Sequence, residues 1–208
     1  MTYAEIKRAT LSHLNQYSIA GAPIASSYNN QADYLNRIPQ FINEALVNIR
    51  TLVKPEPVVF ALNANDGEEY GNLSRYELPS DFHSLKTGGV SVLHNGQVRK
   101  TNNYRLQGKK YILVPRERAD HYTIEYHRYP NLLPAAPADD FELEEDLEVI
   151  QTAAYYAAAQ LVLHDDETVY AYLYNDYESR LSRIGAGVSV EVQPVQDAYL
   201  FNVGWCNG

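Results

Sequence analysis

Apolar residues recur at helical spacing towards both ends of the chain and at strand spacing in its middle. Thr2 followed by Glu5 has the spacing of a capping box, and Ile6, Thr10, Leu14 and Tyr17 mark one face of a short first helix ending before Gly21. GAPIASSYNNQ reads as a loop, with Asn30 or Asp33 placed to cap a second helix. The stripe of that helix is Leu35, Ile38, Ile42, Ala45, Leu46, Ile49 and Val53. Pro39 removes a backbone donor inside it and is expected to kink or restart the helix. KPEP ends it, because the residue before each proline is pushed towards extended backbone.

Between Val58 and Tyr129 the runs VVFAL, RYEL, VSVL, YRL, KYILV and YTIEYHRY predict an antiparallel sheet region. Asn95-Gly96 is the strongest hairpin signal, since both residues tolerate positive φ, and Gly108-Lys109 is a second one. In RYELPSDF, Tyr76 and Leu78 point to one face, Pro79 stops the ladder, and Ser80-Asp81 suits a turn. YPNLLPAAPADDFE is an extended connector in which Asp139 and Asp140 are placed to cap a third helix. The stripe of the third helix is Leu143, Leu147, Ile150, Ala154, Ala157 or Ala158, and Leu161. Val169, Leu173, Tyr177, Leu181 and Ile184 space a fourth helix, with Gly185 where a left-handed cap belongs.

This order predicts an α+β fold: a four-helix bundle-like core, an inserted antiparallel β-sandwich or barrel-like region, and an extended C-terminal tail. The expected boundaries are 1–56 and 131–185 for the helical parts, 57–130 for the strands and 186–208 for the tail. The tail alternates Val188, Val190 and Val192 and then collects Tyr199, Leu200, Phe201 and Trp205. Ordering each residue costs about 1 to 2 kcal/mol, so such a tail stays fixed only by burying those side chains, against its own sheet or against another chain.

Composition narrows the function. A chain of 208 residues buries about 70% of its unfolded surface. The net charge of -9, from 17 basic and 26 acidic residues, gives no counterion-release gain on DNA, so a stable DNA binder is not expected. The lone Cys206 forms no internal disulfide, and no charged-then-apolar leader opens the sequence; synthesis in a cytoplasm is expected. No apolar run approaches the ~20 residues that span a bilayer. The 18 tyrosines fit either half-exposed strand faces or protein interfaces.

Chemistry has no obvious bearer. Histidines 13, 83, 94, 121, 127 and 164 are scattered; His121 and His127 share a strand face but are too far apart to chelate alone. His164-Asp165-Asp166-Glu167 reads as a polar turn capping the fourth helix in preference to an acid–base or metal cluster. The acids from Asp139 to Glu145 read as a solvated, dipole-compatible helix start. A phosphate-cradling glycine loop and a nucleophile elbow are both missing. The expectation is no catalytic residue, no cofactor and no metal.

Taken in order, DYLNRIPQFINEAL, RYELPSDF, YTIEYHRYPNLL, EVIQTAAYYAAAQLVLHDD and YNDYESRLSRI resemble the head-to-tail adaptor proteins of tailed bacteriophages, including the tail tubular protein A type. The resemblance runs roughly from Asp33 to Ile184. It implies a structural virion protein at the head–tail junction: a ring, usually of twelve copies, docked under the portal protein and joined below to a tail or nozzle protein. DNA passes through its channel without specific binding. It also implies that the tail residues Val188, Val190, Val192, Tyr199, Leu200, Phe201 and Trp205 contact the portal or a neighbouring subunit, with the Asn95-Gly96 turn facing tail components. Pro39 inside the second helix and a strand-forming tail, where a C-terminal helix is expected for some relatives, depart from the pattern. The alternatives are a carbohydrate- or receptor-binding β module and a small acid–base hydrolase.

Overall fold

The computed structural model describes residues 1–14, 30–63, 66–94, 97–116 and 121–186. Helices α1 (Tyr3–His13) and α2 (Asn30–Asn48) lead through a π-type turn, Ile49–Val53, into the strands. These are β1 (Glu56–Leu62), β2 (Glu68–Tyr70), β3 (Leu73–Glu77), β4 (Phe82–His94), β5 (Gln97–Lys100), β6 (Arg105–Gln107), β7 (Tyr111–Pro115) and β8 (His121–Arg128). Helices α3 (Leu147–Val162) and α4 (Glu167–Ala186) follow. The class is α+β, as expected.

Helix α3 is the hub of the helical layer and packs against α1, α2 and α4. Its small side chains explain this: Ala153, Ala154, Ala157, Ala158 and Ala159 are all buried and let three neighbours approach closely. Ile6, Ile38, Ile42, Leu46, Ile49, Ile150, Leu161 and Tyr177 share one cluster there. The predicted stripes of α2 and α4 are largely those the core uses.

Each sheet has four antiparallel strands, in the orders β1-β8-β4-β5 and β2-β3-β7-β6. Their inward residues form a single second cluster: Leu62, Phe82, Val90, Tyr122, Ile124 and Tyr126 from one sheet, with Tyr76, Ile112 and Val114 from the other. The hairpin expected at Asn95-Gly96 joins β4 to β5, with His94 opposite Gln97; the two turn residues themselves lie outside the described residues. Gly108, at φ 62°, turns β6 into β7. RYELPSDF behaves as read: Tyr76 and Leu78 are buried together, and the chain turns as the Phe82 N–H donates to the Pro79 carbonyl.

Four expectations need correction. Helix α2 runs through Pro39 without a restart. Proline removes the donor for the carbonyl four residues earlier, that of Leu35, and the Tyr3 hydroxyl donates to that oxygen instead. Asp139 and Asp140 do not cap the third helix, which starts at Leu147 with Asp146 at its N-cap position. The Asp139 and Phe141 carbonyls instead accept the Ala4 and Tyr3 N–H groups, two of the unpaired donors at the start of α1. Leu147, placed on the buried stripe, is 57% exposed. Gly185 is no left-handed cap: α4 continues through it to Ala186, because the absence of a side chain lets α4 close on Val53 of the π-type turn.

Candidate functional site

The most heavily charged buried feature lies at the seam between helices and sheets. Its centre is Arg50, on the same face of α2 and its π-type turn as Leu46, Ile49 and Val53, at a position where a helix stripe normally carries an apolar residue. The turn is wide because the Lys54 N–H donates to the Ile49 carbonyl five residues back, and Pro55 then forces extended backbone. Arg50 therefore points to the base of the sheets with its side chain only 5% exposed.

Its Nε and Nη2 both donate to Glu145 Oε2, at 2.9 and 2.7 Å, and the Glu145 side chain is fully buried. The other carboxylate oxygen accepts the Asn131 N–H at 3.0 Å. Around this pair stand Asp146, 3.2 Å from Arg50 and 2.9 Å from Lys54, and Glu56, 2.9 Å from Arg128. One network thus ties the end of α2, the first residue of β1, the last of β8, the connector and the start of α3. The hydrogen bond from Lys54, with Arg50 nearby, holds the Asp146 carboxyl below its ordinary range. Arg128 loses some basicity to burial, but Glu56 more than offsets that and its pKa rises. Most of the opposite charges here are paired, while Arg128 Nε is buried without a described hydrogen-bond partner, and the network ties the helical layer to the sheets.

The candidate chemistry resolves into structural contacts. Asp166 Oδ1 accepts the Thr168 and Val169 N–H groups, capping α4, and Asp165 accepts the Tyr34 hydroxyl at 2.6 Å. The acidic run is drawn into pairs: Asp139 with Lys7, Glu145 with Arg50. His13 stacks on Tyr155 at 3.8 Å, and burial, followed by the charge of Arg180, lowers its pKa. Burial likewise lowers the pKa values of His83 and His127. Among the described residues no three His, Cys, Asp or Glu side chains gather as metal ligands, and no helix is long and apolar enough to cross a membrane.

The fifteen described tyrosines divide into six buried, seven half-buried and two exposed. Tyr3, Tyr34, Tyr76, Tyr122, Tyr126 and Tyr177 are buried, and among the described tyrosines only Tyr70 and Tyr172 are exposed. Tyr156, Tyr177, Tyr174 and Tyr170 form a chain of ring contacts at 5.2 to 5.8 Å along α3 and α4. The excess therefore serves internal packing in good part. Val188, Val190, Val192, Tyr199, Leu200, Phe201, Trp205, Asn95 and Gly96 all lie outside the described residues. The seam was missed in the sequence; its signal was the lone arginine on an apolar stripe, facing a later run of acids.

The fold is α+β, a helical layer joined to two antiparallel sheets through paired charges, and its class is given by comparison with known families. Residues 1–197 match the family described as SU10 adaptor protein, and the chain belongs to that family of phage head-to-tail adaptors. None of the curated proteins matches the chain.

Proposed function

We propose that this protein is a structural virion component that assembles beneath the portal as a closed ring of about twelve copies, in keeping with cyclic head-to-tail association. In this reading the ring continues the DNA channel towards a tail or nozzle protein, and DNA passes without specific binding. The helical parts, 1–56 and 131–185, form a bundle-like base, and 57–130 forms a sandwich-like projection. The tail beyond it docks on the portal or a neighbour through Val188, Val190, Val192 and the aromatic residues that follow.

The observation that carries this reading is the family match, which spans both layers and continues past Ala186 to residue 197. The seam supports it, since a joint under load in a neck needs a fixed angle between its layers.

The test is electron microscopy of the full chain with the portal protein of the same phage. A ring seated on the portal, lost on removal of residues 187–208 while the thermal transition is kept, is the expected result. A monomer that never binds the portal overturns the adaptor reading. A truncated chain that unfolds assigns the tail to the core instead.

A further inference from the structure

Charge is segregated along this chain. Residues 97–116 carry six cations and no acid, whereas residues 139–148 carry seven acids and no cation. The basic stretch contains β5 and β6, each the outermost strand of its sheet among the described residues, with no described strand on its other side. Arg99, Lys100 and Arg105 are exposed there and pair with no described carboxylate; the described partner of Arg99 is Gln97. Between them Val98 is 72% exposed and Leu106 38%.

The acidic stretch precedes and opens α3. Lys7, Arg50 and Lys54 occupy Asp139, Glu145 and Asp146. Asp140, Glu142, Glu144 and Glu148 remain exposed without a described cation, and Leu147 stands among them. Each stretch therefore combines exposed charge of one sign with an exposed apolar residue, the composition of a specific protein contact.

We propose that the β5–β6 edge of one copy seats against the acidic segment before α3 of the next copy. This rests on the ring reading above and names the two surfaces that close the ring. The patches lie on different layers, so each copy joined by one keeps the other free, as head-to-tail propagation requires. Like patches repel, which disfavours a two-fold contact of either patch with itself. Duplex DNA is the other partner a basic edge could take, but phosphates would leave Val98 and Leu106 unmatched.

Two full-length variants test it: a basic-edge reversal, Arg99→Glu with Lys100→Glu and Arg105→Glu, and an acidic-segment reversal, Asp140→Lys with Glu142→Lys and Glu144→Lys. Ring formation is followed by mass photometry and microscopy, alone and on the portal, with circular dichroism confirming the fold. Each variant alone is expected to need ~10-fold more protein to assemble, and an equimolar mixture is expected to recover rings of alternating copies. Recovery on mixing is a result that misfolded variants cannot give. Either variant assembling like the unaltered chain, or folded variants failing to recover on mixing, overturns this contact and leaves the ring reading standing. Normal rings from the basic-edge variant with lost retention of duplex DNA assign that edge to DNA and also overturn it. An unaltered chain that never self-associates overturns the ring reading and this contact together.

Discussion

The Tyr3 hydroxyl donates to the Leu35 carbonyl at 3.3 Å, and Leu35 is the acceptor that Pro39 leaves without its helical donor. One bond thus repairs α2 and clips α1 to it. Burial, helped by the charge of Asp139, raises the Tyr3 pKa to about 12, so the hydroxyl stays protonated and able to donate. Tyr3→Phe is expected to cost about 1 to 3 kcal/mol in urea unfolding, because it orphans that carbonyl. In a Pro39→Ala background, where the helix supplies its own donor, the same substitution should cost clearly less. Equal costs in the two backgrounds would show that the hydroxyl has no link to the proline.

Removing one partner at the seam should be far worse than removing both. Arg50→Met leaves the buried Glu145 carboxylate with only the Asn131 N–H and Arg128 at 3.9 Å, for an expected loss of about 3 kcal/mol. The double change Arg50→Met with Glu145→Leu should recover much of it, by denaturant titration. The folded-state pKa of Asp146 is depressed, so its contribution is complete above the unfolded value of about 3.9 and is lost as pH falls through the folded one. Asp146→Asn should flatten stability below pH ~4 relative to the unaltered chain.

Gly88 and Gly89 sit at the irregularity where β4 slips register against β8. A side chain on Gly89 would overlap the Glu125 carbonyl and lie 2.7 Å from that of Lys86, both backbone atoms. Gly89→Ala should therefore cost about 3 kcal/mol or more by thermal or denaturant unfolding. Gly71, at φ 64°, has no atom within 4 Å of such a side chain, and Gly71→Ala should cost only the left-handed strain of about 1 kcal/mol.

Mild acid should weaken the fold through its histidines. The pKa values of His13, His83 and His127 are all lowered in the folded state, burial being the first cause in each. Such groups bind more protons when unfolded, so their stabilisation is full above the ordinary value of about 6.5 and is lost as pH falls from there towards the folded values. A Tm series from pH 8 to 5 should slope downward, and His13→Gln should reduce the slope. An unchanged slope would remove His13 from the account.

The core residues were readable because periodicity reports burial: Ile38, Ile42, Leu46, Leu173 and Tyr177 were placed on their stripes, and all are buried. The Gly108 turn was readable because few residues accept positive φ. Strand β2 was missed, since EEY carries no alternation and all three residues are exposed; β3 and the Gly71 turn hold it. The start of α3 was misplaced because Asp139 and Asp140 make a good local cap signal, while the actual partners of Asp139, Lys7 and the start of α1, lie some 130 residues away in sequence.

By itself, then, the sequence determined the α+β class, the helical stripes and the principal strands, which follow from local spacing and turn chemistry, and its segments carried the adaptor resemblance. Only the tertiary structure decided that Tyr3 completes a proline-interrupted helix, that α4 passes through Gly185 to meet Val53, and that Arg50 finds Glu145. Those outcomes depend on which groups meet across the fold. A buried donor, acceptor or charge must find a partner wherever one is, and separation along the chain does not constrain the choice.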